Sequence, residues 1–98
     1  MARIPLFVEQ YGEIDRELAD EIKGLVALAM EPGELDQKTK LLITLALDAY
    51  KGAAEGVKVI AEQLKALGAT PQEMMEAIRL AYFVAGLDVI KTGLKAFE

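Results

Sequence analysis

The sequence of 98 residues contains no cysteine and no histidine. Without cysteine there is no disulfide, no thiolate nucleophile and no sulfur ligand for a metal ion. Without histidine there is no imidazole general base and no common zinc site. Thiol chemistry is therefore excluded for these residues by themselves, and the sequence predicts neither a metal site nor a cofactor.

Long apolar runs and clustered positive charge are also missing. No uncharged run approaches the roughly 18 residues that span a bilayer, so we expect no membrane partner. The 11 basic residues are scattered among 16 acids, with a net charge of −5. Phosphate contacts need clustered Lys and Arg, so we expect no nucleic-acid partner. The first apolar stretch is too short for a signal peptide, and a cytoplasmic location is the default expectation.

Apolar residues are plentiful for so short a chain. They make up 53% of the sequence when tyrosine is counted and glycine is not. Counted with glycine and without tyrosine the fraction is about 58%, against roughly 45–50% in an ordinary globular domain. A small domain hides only part of its surface, and large exposed apolar patches usually mark interfaces. The composition therefore predicts a homo-oligomer built from a single domain over residues 1–98.

The spacing of the apolar residues predicts helices. Residues 3–8 are expected to be extended or to form one turn, because Pro5 restricts the residue before it. A helix is predicted from about Asp15 to the break at "EPGEL" (31–35). A second is predicted over 37–51, with Asp36 as its N-cap and Gly52 as its end. A third is predicted to end with Gly68 in the C′ position.

The strongest boundary signal is "TPQE" (70–73), which combines a capping threonine, proline at the first helical position and the glutamate of a capping box. The helix that begins there is predicted to be interrupted at Gly86 and followed by a last short helix. The sequence thus predicts an all-α fold of five to six helices joined by short turns.

Three stretches carry a resemblance to a known family: "LDQKTKLLITLAL" (35–47), "ALGATPQEMMEAI" (66–78) and "AYFVAGLDVIKTGLKAF" (81–97). Together they resemble the carboxymuconolactone decarboxylase family, which includes the alkylhydroperoxidase D-like proteins. The resemblance covers residues 35–97 and leaves residues 1–34 as an N-terminal helical extension. It implies a fold built on a helical hairpin that assembles into an obligate oligomer, which we expect to be a trimer or a hexamer.

The resemblance also locates the family's active site. In thiol-dependent members a glutamate precedes a Cys-x-x-Cys motif, and a histidine follows four residues later. The matching positions here are Leu41, Ala53, Gly56 and Ile60, none of which can ionise. Decarboxylase members without the cysteines read "HELKLH" where this chain reads "EGVKVI" (55–60), so only Lys58 matches. The chain therefore lacks the active-site residues of both groups.

Five other side chains are candidates for a site. Glu55 is a candidate acid or base, although acids are also favoured in the first turn of a helix. Lys58 is a candidate ligand for an anion, or simply a solvated side chain. Asp48 lies in an otherwise apolar helix and needs a partner, for which Lys51 or Lys58 would serve. Tyr50 and Tyr82 either line a pocket or pack as core aromatics.

These observations leave three functions open. The first is an oligomeric small-molecule-binding or structural protein with no thiol peroxidase activity of its own. The second is an enzyme of changed chemistry, a decarboxylase or isomerase that uses Glu55, Lys58 and Asp48 on a small organic acid. The third is an alkylhydroperoxidase role that depends on a partner's thiols. The emptied active-site positions favour the first.

Overall fold

The computed structural model describes residues 4–98 and is all-helical over that range. Its helices are α1 (Leu6–Tyr11), α2 (Arg16–Met30), α3 (Gln37–Lys51), α4 (Ala54–Ala66) and α5 (Pro71–Gly93), followed by a 3₁₀ helix (Leu94–Phe97). The predicted all-α fold of five to six helices is confirmed. The stretch 3–8 begins outside the described residues.

The helices fall into two compact units, one up to residue 37 and one from Lys38 to Glu98. In the first unit α1 continues to Tyr11, longer than the single turn expected, because the Pro5 carbonyl accepts the Val8 amide at 3.0 Å and starts a helix. The Asp15 carboxylate caps α2 by accepting the Leu18 amide at 3.0 Å. An ion pair of 3.1 Å joins Lys23 of α2 to Glu9 of α1.

In the second unit, α3 and α4 each end in a Schellman motif. Gly52 and Gly68 adopt φ values of +78° and +82°, which residues with a Cβ rarely adopt. The Ala53 amide donates to the Asp48 carbonyl at 2.9 Å, and the Ala69 amide donates to the Leu64 carbonyl at the same distance. The two helices therefore end at the predicted glycines. The largest fully buried side chains of the unit are Leu41, Leu45 and Leu64.

The start of α5 carries the predicted capping box. The Thr70 hydroxyl accepts the Glu73 amide at 3.1 Å, and the Glu73 carboxylate accepts the Thr70 amide at 2.9 Å. The same carboxylate forms an ion pair of 2.6 Å with Lys38 at the start of α3. The hydrogen bond from Lys38, helped by the Thr70 amide, lowers the pKa of Glu73 below its ordinary value of 4.5. One side chain therefore caps α5 and ties it to α3.

The interruption predicted at Gly86 is wrong. Helix α5 continues through this residue to Gly93, a length of 23 residues. An isolated glycine costs a helix only about 1 kcal/mol, and no proline follows to remove an amide donor. None of the residues of α5 is buried in the described chain. Even so, no helix within residues 4–98 combines the length and the apolar character that crossing a membrane requires.

Candidate functional site

The turn between α3 and α4 positions the candidate site. Gly52 ends α3 with its positive φ, and Ala53 then occupies the N-cap position of α4. Alanine has no side-chain oxygen, and no side chain caps this helix start. The Ala54 amide bonds the Gly52 carbonyl at 3.0 Å, which tightens the turn. Apart from Glu55 and Val57, the turn and the start of α4 carry only alanine and glycine, and Gly56 lies beside Asp48 at the end of α3.

Asp48, in the last turn of α3, packs directly against Gly56 in the first turn of α4. A Cβ built on Gly56 would lie 2.6 Å from Oδ2 of Asp48 and 3.1 Å from its Cγ. Real Cβ atoms essentially never approach an atom this closely, so Gly56 leaves the space that the carboxylate fills. Ala53 lies on the same side, with its Cβ 3.6 Å from that built position. The structure therefore places Asp48 where a residue larger than glycine at position 56 would stand.

An open pocket of about 300 Å³ lies at this turn. Its lining residues come from the end of α3, the turn and the start of α4, and they are Asp48, Ala49, Gly52, Ala53, Ala54 and Val57. Asp48 supplies the charge in this lining, and the other side chains are small or apolar. Asp48 is half-buried and forms no ion pair within residues 4–98. The partners expected for it, Lys51 and Lys58, are both exposed.

The structure brings some of the predicted site residues together and leaves others apart. Asp48 and Ala53 share the pocket, and Gly56 packs against Asp48. Glu55 and Lys58 are exposed and lie outside the pocket lining. Their predicted roles, and the decarboxylase or isomerase chemistry that would use them, stay predictions.

The remaining predicted positions lie in different surroundings. Leu41 is buried in α3, and Ile60 is half-buried in α4. Tyr50 and Tyr82 are exposed, and neither lines this pocket. The pocket residues that the sequence analysis did not name as site residues are Ala49, Gly52, Ala54 and Val57. The sequence offers only Gly52 as a signal for this pocket. A glycine at the end of an apolar helix predicts a turn, but it does not predict which side chains lie close together across the turn.

The described residues do not form a metal centre. Residues 4–98 contain no group of three or more carboxylates placed to hold a metal ion. The acidic side chains near the start of α2, Asp15, Glu17 and Glu21, surround an open depression with Leu18 but do not converge in this way. Within the described chain, the chemistry of the candidate site therefore rests on one carboxylate and an apolar wall.

A comparison with models of protein families identifies the family of this chain. The model of the carboxymuconolactone decarboxylase family matches residues 16–98, which include α2 through α5 and the 3₁₀ helix. The chain belongs to the carboxymuconolactone decarboxylase family. The resemblance seen in the sequence is thereby confirmed. As a member of that family without any cysteine, the chain lacks the Cys-x-x-Cys motif of the thiol-dependent members.

A solved structure supports this family assignment. The chain is similar to a carboxymuconolactone decarboxylase family protein from Legionella pneumophila, whose crystal structure was determined in the apo form. The two share 26% sequence identity and superpose with a TM-score of 0.75, over 93% of this chain and 81% of that one. No curated protein matches the chain.

Proposed function

We propose that this carboxymuconolactone decarboxylase family member is a homo-oligomeric small-molecule-binding or structural protein without thiol peroxidase activity of its own. The proposal rests on the exposure of α5, which is a largely apolar helix of 23 residues and has no buried residue. Phe83 is 60% exposed, Ile90 is 70% exposed and Tyr82 is 80% exposed. Soluble monomers rarely leave contiguous apolar surfaces of this kind in water.

A second copy of the chain is the occupant that the family supports. The other large apolar side chains of α5 and the 3₁₀ helix that are exposed are Met75, Ile78, Leu80, Val84, Leu87, Val89, Leu94 and Phe97. They lie on several sides of the helix, so a single flat contact would not cover them all. We therefore propose a trimer or a hexamer, in which one helix meets more than one neighbour.

The lack of peroxidase activity follows from the site. A Cys-x-x-Cys peroxidase needs a thiolate activated by an adjacent base. The two cysteine positions hold Ala53 and Gly56, and the histidine position holds Ile60. None of these side chains accepts electrons from or donates electrons to a peroxide. The pocket beside Asp48 remains as a place for a small ligand, and we propose a cytoplasmic location for the assembly.

Two measurements on one preparation test the proposal. Light scattering is expected to give a mass several times the 10.7 kDa of one chain. Consumption of an organic hydroperoxide, with dithiothreitol as reductant, is expected to equal the rate without protein. A clean monomer at micromolar concentration would contradict the assembly, and turnover above that background would contradict the absence of peroxidase activity.

A further inference from the structure

A stripe of exposed apolar side chains runs along one side of α5 and the 3₁₀ helix that follows it. Successive members are spaced by three and four residues in alternation, which is the a/d pattern by which one helix packs against another. Their exposed fractions range from 49% to 89%. We call this surface the α5 stripe, and its members are Leu80, Phe83, Leu87, Ile90, Leu94 and Phe97.

Helix α2 carries a second stripe with the same alternation. Ala19, which is buried, and Lys23, which pairs with Glu9 of α1, lie on the opposite side of α2, so the stripe faces away from α1. Its apolar members are 44% to 79% exposed. We call this surface the α2 stripe, and its members are Ile14, just before the helix, and Leu18, Glu21, Leu25 and Leu28.

The charges beside the two stripes have opposite signs. Arg79 and Lys91 adjoin the α5 stripe, whereas Glu17 adjoins the α2 stripe and Glu21 lies within it. All four residues are exposed, and none of them forms an ion pair within residues 4–98. Charged residues beside an a/d stripe determine which helices pair. A glutamate inside a packed stripe is unfavourable unless a cation reaches it, so the α2 stripe favours a partner with basic edges.

The same difference in charge extends over the chain. Up to residue 37 there are nine acidic and three basic residues, whereas from residue 38 there are seven acidic and eight basic residues. A second α5 stripe would be a poorer partner for the first, because it brings the same basic edges. Its flanking positions within α5 are Arg79, Val84, Gly86, Lys91 and Gly93, none of which is acidic.

We propose that the α2 stripe of one copy packs on the α5 stripe of a second copy, with Glu17 and Glu21 facing Arg79 and Lys91. The spacings agree, since the α2 stripe and the last five members of the α5 stripe both run four, three, four, three. Each copy carries both stripes, so two copies make the contact twice. This contact rests on the proposed oligomer and supplies the cover for one side of α5.

Two charge-reversed variants test the contact by sedimentation equilibrium in low salt. The first combines Arg79→Glu with Lys91→Glu, and the second combines Glu17→Lys with Glu21→Lys. Each variant alone is expected to fall from the wild-type mass towards the 10.7 kDa of one chain. An equimolar mixture of the two is expected to return to the wild-type mass, because each acidic stripe then meets a basic one.

The matched control is Lys58→Glu with Lys65→Glu, which changes the charge as the first variant does, at exposed positions outside both stripes, and should keep the wild-type mass. Circular dichroism checks that each variant keeps its helix content. A variant that does not is replaced by glutamine substitutions at the same positions, which should still lower the mass.

A wild-type mass for either altered stripe, or a mixture of the reversed variants that gains no mass over its components, would overturn the contact. An oligomeric wild type with those results contradicts only the pairing of the two stripes. A monomeric wild type contradicts the proposed assembly itself.

Discussion

Asp48 and Gly56 act as a pair, because the carboxylate of one fills the space that the other leaves open. The distance of 2.6 Å from Oδ2 to a built Cβ means that any side chain at position 56 must displace Asp48. The resemblance to the thiol-dependent members predicts that position 56 corresponds to their second cysteine. A cysteine at position 56 would therefore require the carboxylate of Asp48 to move.

A double-mutant cycle on this pair gives the first prediction. Gly56→Ala gains up to about 1 kcal/mol of helix propensity, and in the wild type we expect the displacement of the Asp48 side chain to offset this gain. In an Asp48→Ala background the same change should stabilise by up to about 1 kcal/mol. Denaturant unfolding at one protein concentration measures both effects. Gly24→Ala, where a Cβ meets nothing within 4 Å, is the control, and equal effects of Gly56→Ala in both backgrounds would disprove the pairing.

The Glu73 carboxylate gives a prediction for pH. Its pKa is lowered in the folded chain by Lys38 and by the Thr70 amide. Its ionised form therefore stabilises the fold above the ordinary pKa of 4.5, and this contribution is lost as the pH falls through the lower folded value. Glu73→Gln keeps a capping side chain but loses the ion pair. We expect this variant to melt below the wild type at pH 7, with a gap that closes in acid.

Thermal melts between neutral pH and acid measure that gap. Glu76→Gln removes a carboxylate from the same helix without breaking an ion pair of the described chain, and it serves as the control. A gap for Glu73→Gln that stays constant across the pH range, or one that Glu76→Gln reproduces, would show that the Lys38 contact does not form.

At the scale of the element, α5 shows which helix boundaries the local sequence predicts and which it does not. Its start was predictable because Thr70, Pro71 and Glu73 specify a helix terminus by contacts three residues apart. The length of α5 was not predictable from Gly86. The lower helix propensity of one glycine costs little free energy compared with the helical hydrogen bonds that continue on both sides of it. The candidate site shows the same division. The absence of cysteine could be read from the sequence, but the packing of Asp48 on Gly56 depends on the conformation of the turn at Gly52.

Alanine substitutions at Gly86 and Gly68 test whether α5 continues through residue 86 and whether α4 ends before residue 68. A Cβ built on either residue meets nothing within 4 Å, so only the backbone distinguishes them. Gly86→Ala lies inside α5 and should stabilise by about 0.4–1 kcal/mol. Gly68→Ala must adopt φ +82° and should destabilise by about 1 kcal/mol or more. Urea unfolding of both variants is the measurement, and equal destabilisation would mean that α5 does break at Gly86.

At the scale of the whole molecule, exposed apolar side chains occur on every helix of the described chain, and α5 carries the largest number of them. The composition predicts that a chain with 53% hydrophobic residues needs partners, and we propose that the exposed side chains of α5 meet them. The copy number could not be read from the sequence, since it depends on the angles at which copies meet.

Sedimentation equilibrium tests this central claim most directly. The molecular mass measured for the wild type is expected to be three or six times the 10.7 kDa of one chain. Phe83→Glu combined with Ile90→Glu places charges on the exposed apolar surface of α5 and should shift the mass towards the monomer. Gln72→Glu, which adds charge at an exposed polar position of the same helix, should leave the mass unchanged. A wild type that sediments as a single 10.7 kDa chain at micromolar concentration would contradict the account.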